Sequence, residues 1–143
     1  MRYLIALAFL AAPAHAWEAF SDGPVCVLSH DMEAASVAVT HDPRRALPYA
    51  IEVRRAEPWP LAPTFAMRFD GPGRLTISTD RHSLSDENRA LTVMDRGFGN
   101  VLTGLEANFV AIAVLGNEAL AIPLTGAKPE VAKFRACAQG AGV

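Results

Sequence analysis

The chain has two cysteines, Cys26 and Cys137, and most of its 143 residues lie between them. What such a pair does depends on its compartment, and the first residues indicate one. Met1-Arg2-Tyr3 is a short, positively charged start, and residues 4–12 (LIALAFLAA) are an unbroken apolar run. Pro13 breaks the run, and Ala14-His15-Ala16 supplies a small-x-small cleavage pattern. This is the composition of a secretory signal peptide, expected over residues 1–16. In an oxidising compartment an isolated cysteine pair forms a disulfide. No C-x-x-C spacing argues for a redox or metal-binding thiol pair instead. Closing a loop of roughly 110 residues stabilises a domain by about 4–5 kcal/mol on a chain-entropy account. That is a large share of a typical stability of about 5–15 kcal/mol. Any fold of this chain must therefore set its early and late elements side by side.

Residues 17–143 are expected to form a single domain large enough for one core. The whole chain is 51% hydrophobic and 20% charged, which is globular rather than disordered. Removing Arg2 with the signal leaves 12 basic against 15 acidic residues, a net charge of −3. That balance argues against a nucleic-acid partner, which needs a concentrated basic footprint. The apolar run at the start is too short to span a bilayer, and no later run is long enough, so no transmembrane segment is expected. No cysteine follows the signal directly to carry a lipid anchor. The expected location is the periplasm.

The body of the chain reads as short strands between turn residues. Residues 25–30 and 35–40 are two candidates, separated by Asp31-Met32-Glu33. Tyr49, Ile51 and Val53 alternate with Ala50, Glu52 and Arg54, the period-two pattern of a half-buried strand. Phe65, Met67 and Phe69 repeat it, and Asp70-Gly71-Pro72-Gly73 turns the chain into Leu75, Ile77 and Thr79. Leu91 and Val93 mark another strand. Residues 109–115 are continuously apolar, as in a strand buried on both faces, and Gly116-Asn117 fits a tight hairpin turn into residues 119–124. About eight short strands at close spacing predict a mostly β fold, an antiparallel β-sandwich or barrel. Two helices interrupt it. Asn100 is a candidate cap for a short middle helix carrying Val101, Leu102 and Leu105. A C-terminal helix follows Pro129 and places Val131, Phe134 and Cys137 on one face. The disulfide would clamp this helix to the strand at 25–30. Residues 58–63 (PWPLAP) read as an extended surface connection, with Trp17 and Trp59 covering the edge of the core.

The candidate binding residues are Asp80, Arg81, His82, Asp95 and Arg96, which fall in two dense polar clusters at loop positions, 79–83 and 95–100. No catalytic residue is assigned, because no G-x-S-x-G elbow activates a serine. A small hydrolase using His82 with Asp80 or Asp95 is the alternative from another class. No metal site and no cofactor are expected: His30, His41 and His82 each lie near an acid, but no H-x-H or H-E-x-x-H spacing is present. Metal carriage by those three histidines is the third reading. No phosphate loop is present, which disfavours nucleotide hydrolysis.

Certain stretches resemble a group of small exported alphaproteobacterial proteins of uncharacterised activity. They are Trp17-Glu18, PVCVLSH around Cys26, TDRHSLS, DRGFGN, and IPLTGAKPEVAKFRAC at the end. Some similar chains carry an excinuclease-subunit label, which an exported, acidic, short chain without a phosphate loop does not support. More distantly, the early Trp and Cys and the ending Pro-Leu-x-Gly followed by Phe-x-x-Cys are similar to the invasion-associated locus B family. Neither resemblance supplies a catalytic residue. The expected function is that of a periplasmic, non-enzymatic binding or envelope-interaction protein, with an envelope protein as partner.

Overall fold

In the computed structural model, residues 16–140 are described. The signal expected over 1–16 lies outside them except for Ala16. The element order is β1 (Glu18–Asp22), β2 (Val25–Asp31), β3 (Ala35–His41), β4 (Tyr49–Arg55), β5 (Phe65–Asp70), β6 (Leu75–Thr79), β7 (His82–Ser85), β8 (Ala90–Asp95), α1 (Gly99–Ala107), β9 (Val110–Leu115), β10 (Glu118–Pro123) and α2 (Ala127–Gly140). The strands form two antiparallel sheets, ordered β1-β2-β3-β4-β8-β7 and β10-β9-β5-β6. The architecture is a sandwich and not a closed barrel.

Among the described residues ten strands are present where the hydrophobic pattern marks about eight. The two extra ones, β1 and β7, have little apolar content (EAFSD and HSLS) and are largely exposed. Pairing with a neighbour holds them, β1 with β2 and β7 with β8. Both are edge strands, where short polar sequences blunt aggregation.

Register explains the core. In antiparallel ladders opposite residues point to the same face. Leu28, Val39, Ile51 and Val93 form one continuous row across the six-stranded sheet. Val37, Val53 and Leu91 belong to the next. On the other sheet, Phe65, Met67 and Phe69 of β5 lie opposite Leu115, Ala113 and Ala111 of β9. The two alanines leave room for the Met67 and Phe69 side chains, and all six residues are buried. The 109–115 run is not buried on both faces as its composition suggested. Ala111, Ala113 and Leu115 face inward, while Val110, Ile112 and Val114 are partly exposed and Phe109 precedes the strand at 73% exposure. Val110, Ile112 and Val114 thus leave the outer face of β9 partly in view of solvent. The Gly116-Asn117 hairpin forms as expected, with Leu115 opposite Glu118 and Gly116 at φ +60°, a left-handed conformation that glycine adopts without strain.

The helices close the sandwich. Cys26 in β2 and Cys137 in α2 form a disulfide with Cα atoms 6.0 Å apart. Val131 and Phe134 of α2 are fully buried on the same side. Arg135 donates from Nη2 to Thr103 Oγ1 and Glu106 Oε1 of α1, each at 3.2 Å. Asn100 does not cap α1. The helix starts at Gly99, Phe98 stands at the cap position without a side-chain cap bond, and Asn100 lies in the first turn. Gly104 lets α1 sit directly against the Phe69 ring, where a Cβ would come within 2.6 Å. Both tryptophans belong to the core. Trp17 Nε1 donates to the Pro123 carbonyl at 2.9 Å, and Trp59 Nε1 to the Val53 carbonyl at 3.2 Å beneath the Arg55 guanidinium. The 58–63 connection is therefore anchored at Trp59, while Leu61 projects from it.

Candidate functional site

The sandwich interior is not filled evenly. Where Phe69 meets Gly104, α1 lies tight on the core. Toward the start of β5 and the ends of β6 and β8, a cavity of about 430 Å³ separates the two inner faces. Its walls come from core positions of both sheets: Ile51 and Val93 on one side, Phe65, Met67 and Ile77 on the other. Phe98 and Val101 close it from the α1 side. Phe98 is held by Tyr49, with ring centroids 5.6 Å apart, and Tyr49 is packed in turn against Phe134 of the stapled helix, at 6.5 Å.

Polar groups collect at the rim, because strand ends and turns form it. Thr79 ends β6, Asp95 ends β8, Arg81 lies in the turn between β6 and β7, and Asn100 lies in the first turn of α1. The Arg81 backbone N–H donates to Thr79 Oγ1 at 3.0 Å, which fixes the turn. Its guanidinium donates from Nη2 to Asp95 Oδ2 at 3.2 Å, and the other oxygen, Oδ1, accepts the Arg96 N–H at 2.7 Å. Arg81 is 64% exposed and Asp95 39%, so this is a solvated pair worth little to stability.

Of the five residues singled out from the sequence, Arg81 and Asp95 line this cavity. Asp80 is an exposed turn residue, and Arg96 contributes its backbone N–H while its side chain is exposed. His82 faces a neighbouring surface groove beside Ala62, Pro63 and Leu84. Its Nε2 lies 2.9 Å from the Ala62 carbonyl, which assigns the proton to Nε2. Its Nδ1 is buried without a hydrogen-bond partner. No hydrogen bond joins His82 to Asp80, Asp95 or a serine among the described residues, so the triad geometry of the hydrolase reading is not assembled. The three histidines also stay apart: His30 stacks on Trp17, His41 packs against Tyr49, and His82 sits by Phe65. Among the described residues no group of three or more His, Cys, Asp or Glu side chains is placed to hold a metal ion.

The strongest electrostatic perturbation lies elsewhere, after β3. Arg44 grips Asp42 with Nε on Oδ1 at 2.9 Å and Nη2 on Oδ2 at 3.0 Å, and its backbone N–H adds a third bond at 3.1 Å. The Arg44 side chain holds the Asp42 carboxyl well below its ordinary value, to about 2. The pair orders the 42–48 connection rather than a cavity.

The cavity walls were legible only as core. Ile51, Phe65, Met67, Ile77 and Val93 carry the same alternation whether a neighbour fills the space before them or not. The one local signal is Phe98, an aromatic between Gly97 and Gly99 in the polar stretch 95–100. Comparison with protein-family profiles, with curated proteins and with solved structures finds no match, so the chemistry of this site rests on its own residues.

Proposed function

We propose that this chain is an exported, non-enzymatic binding protein of the periplasm that holds a small, largely apolar molecule between its two sheets. The observation that carries the reading is the inter-sheet cavity of about 430 Å³, with apolar walls and a polar rim. Small-molecule sites of this kind enclose about 300–1,000 Å³ and combine apolar walls with a few polar groups. Export is supported by the composition of residues 1–16 and fits the Cys26–Cys137 disulfide, since such bonds persist in oxidising compartments. Membership of the small exported alphaproteobacterial group it resembles is part of the same proposal. The expected partner is an envelope protein that supplies or receives the bound molecule.

The test uses the oxidised protein and N-phenylnaphthylamine, a neutral fluorophore that brightens in apolar surroundings. Saturable brightening is expected in the native protein. It should be lost in Ile77→Trp and in Val93→Trp, whose larger side chains fill the cavity, with the fold checked by circular dichroism. Absence of saturable binding to the native protein, or equal binding in the filled variants, would overturn the reading.

A further inference from the structure

We infer that the molecule held between the sheets is a single-chain amphiphile with an acidic head, its chain between Met67, Ile77 and Val93 and its head at Arg81. The inference rests on the reading of the cavity as a ligand site. Its first support is the polarity gradient. The cavity's apolar lining side chains are buried or partly buried, while the polar ones stand at or near strand ends and in turns. A molecule that matches this gradient is apolar at one end and polar at the other. The cavity lies near the small end of the range for ligand sites, about 300–1,000 Å³. One alkyl chain fits a cavity of about 430 Å³.

The second support is hydrogen-bond capacity at the rim. Asp95 is the rim's one carboxylate, and both its oxygens already accept bonds, from Arg81 and from the Arg96 backbone. A cationic or donor head would have to share these oxygens with donors already bound to them. Donors, by contrast, are in surplus. An arginine side chain carries five N–H groups in a fixed fork. Among the described residues Arg81 spends its side chain on the single Asp95 contact. Asp80, the other nearby acid, is exposed and does not line the cavity. The first turn of α1 adds to a field of the same sign: it has no side-chain cap and no acid, and Gly99, Asn100 and Val101 all line the cavity. An acceptor-only head matches the unspent donors of Arg81. A carboxylate supplies it with charge-assisted bonds, roughly twice as strong as neutral ones.

The experiment displaces N-phenylnaphthylamine from the oxidised protein with decanoate, methyl decanoate and decyltrimethylammonium, each below its aggregation limit. Decanoate should win over the ester by about tenfold, with the cation weakest. In Arg81→Gln the acid-to-ester ratio should fall to near one. Asp95→Asn, which removes the competing carboxylate, should strengthen decanoate. Saturable probe binding with equal displacement by all three, a preference for the cation, or weakened decanoate binding in Asp95→Asn would overturn the acidic head while leaving the cavity reading intact. Failure of the probe itself to bind would overturn the reading on which this inference rests.

Discussion

Replacing Gly104 by alanine sets two effects of opposite sign against each other in one methyl group. In the middle of α1, alanine is favoured over glycine by about 1 kcal/mol of helix propensity. The structure opposes this. A Cβ at Gly104 would lie 2.6 Å from two carbons of the Phe69 ring, about 1 Å short of ordinary contact. Phe69 cannot give way cheaply, because it is fully buried and lies between β6 and β9. The helix must move instead. Overpacking of this sort costs about 1–3 kcal/mol. The shift also strains the Asn108 Nδ2 bond to the Gly104 carbonyl, 3.0 Å and buried, worth about 0.5–1.5 kcal/mol. The packing terms exceed the propensity gain, so Gly104→Ala should destabilise by about 1–3 kcal/mol. Urea unfolding followed by circular dichroism measures this as a lower midpoint at unchanged slope. Gly99→Ala is the control in the same helix: nothing lies within 4 Å of the added carbon, and its effect should stay within about 0.5 kcal/mol. Phe69→Leu should cost less in the Gly104→Ala background than alone, because the two sites share one contact. A Gly104→Ala protein as stable as the native one would refute the claim that α1 is seated on Phe69.

Three further outcomes follow from the fold. Cys26→Ser, Cys137→Ser and the double variant should each lower stability by the same amount, up to about 4–5 kcal/mol for a sequence separation of 111 residues; unequal single variants in chemical melts would show that one cysteine does more than pair. Phe134→Ala should cost about 3–5 kcal/mol, since the ring is fully buried between α2 and Tyr49, and a loss under about 1 kcal/mol would make α2 peripheral. The Asp42 carboxyl is lowered from 3.8 to about 2 by Arg44, so the folded state binds fewer protons there than the unfolded chain. Its contribution is complete above pH 3.8 and fades as pH falls through about 2. Arg44→Ala should flatten that acid limb of the stability profile, and an unchanged limb would assign it to other carboxylates.

The sequence makes the sandwich readable where one physical signal dominates. Period-two alternation marks β4, β5 and β6 because each strand has one face inward. The cysteine pair requires α2 to lie against an early strand, and Cys137 indeed meets Cys26 of β2. The signal fails where pairing rather than burial makes the element. β1 and β7 lack an apolar face, and their ladders to β2 and β8 hold them. It also fails at α1, where Asn100 has the right chemistry for a cap, but the chain enters the helix two residues earlier, after the buried Phe98.

The candidate site lies in a third category, since no local pattern encodes a gap. Ile51 and Val93 lie opposite each other on one sheet, and Met67 and Ile77 on the other. Each strand needs these residues to bury an inward face, whatever stands across from it. Whether the space between the sheets is filled depends on where α1 rests. Gly104 lets the helix approach Phe69 at one end. At the other end Phe98 packs against Tyr49 and lines the cavity together with Val101. A methyl at residue 104 therefore alters more than stability. By lifting α1 from Phe69 it should also move Phe98 and Val101 at the cavity wall, since one helix carries both contacts. Weakened N-phenylnaphthylamine binding in Gly104→Ala, beyond the loss of folded protein, is the expected sign of that coupling. Unchanged binding in a destabilised variant would show that the cavity is held by the sheets alone.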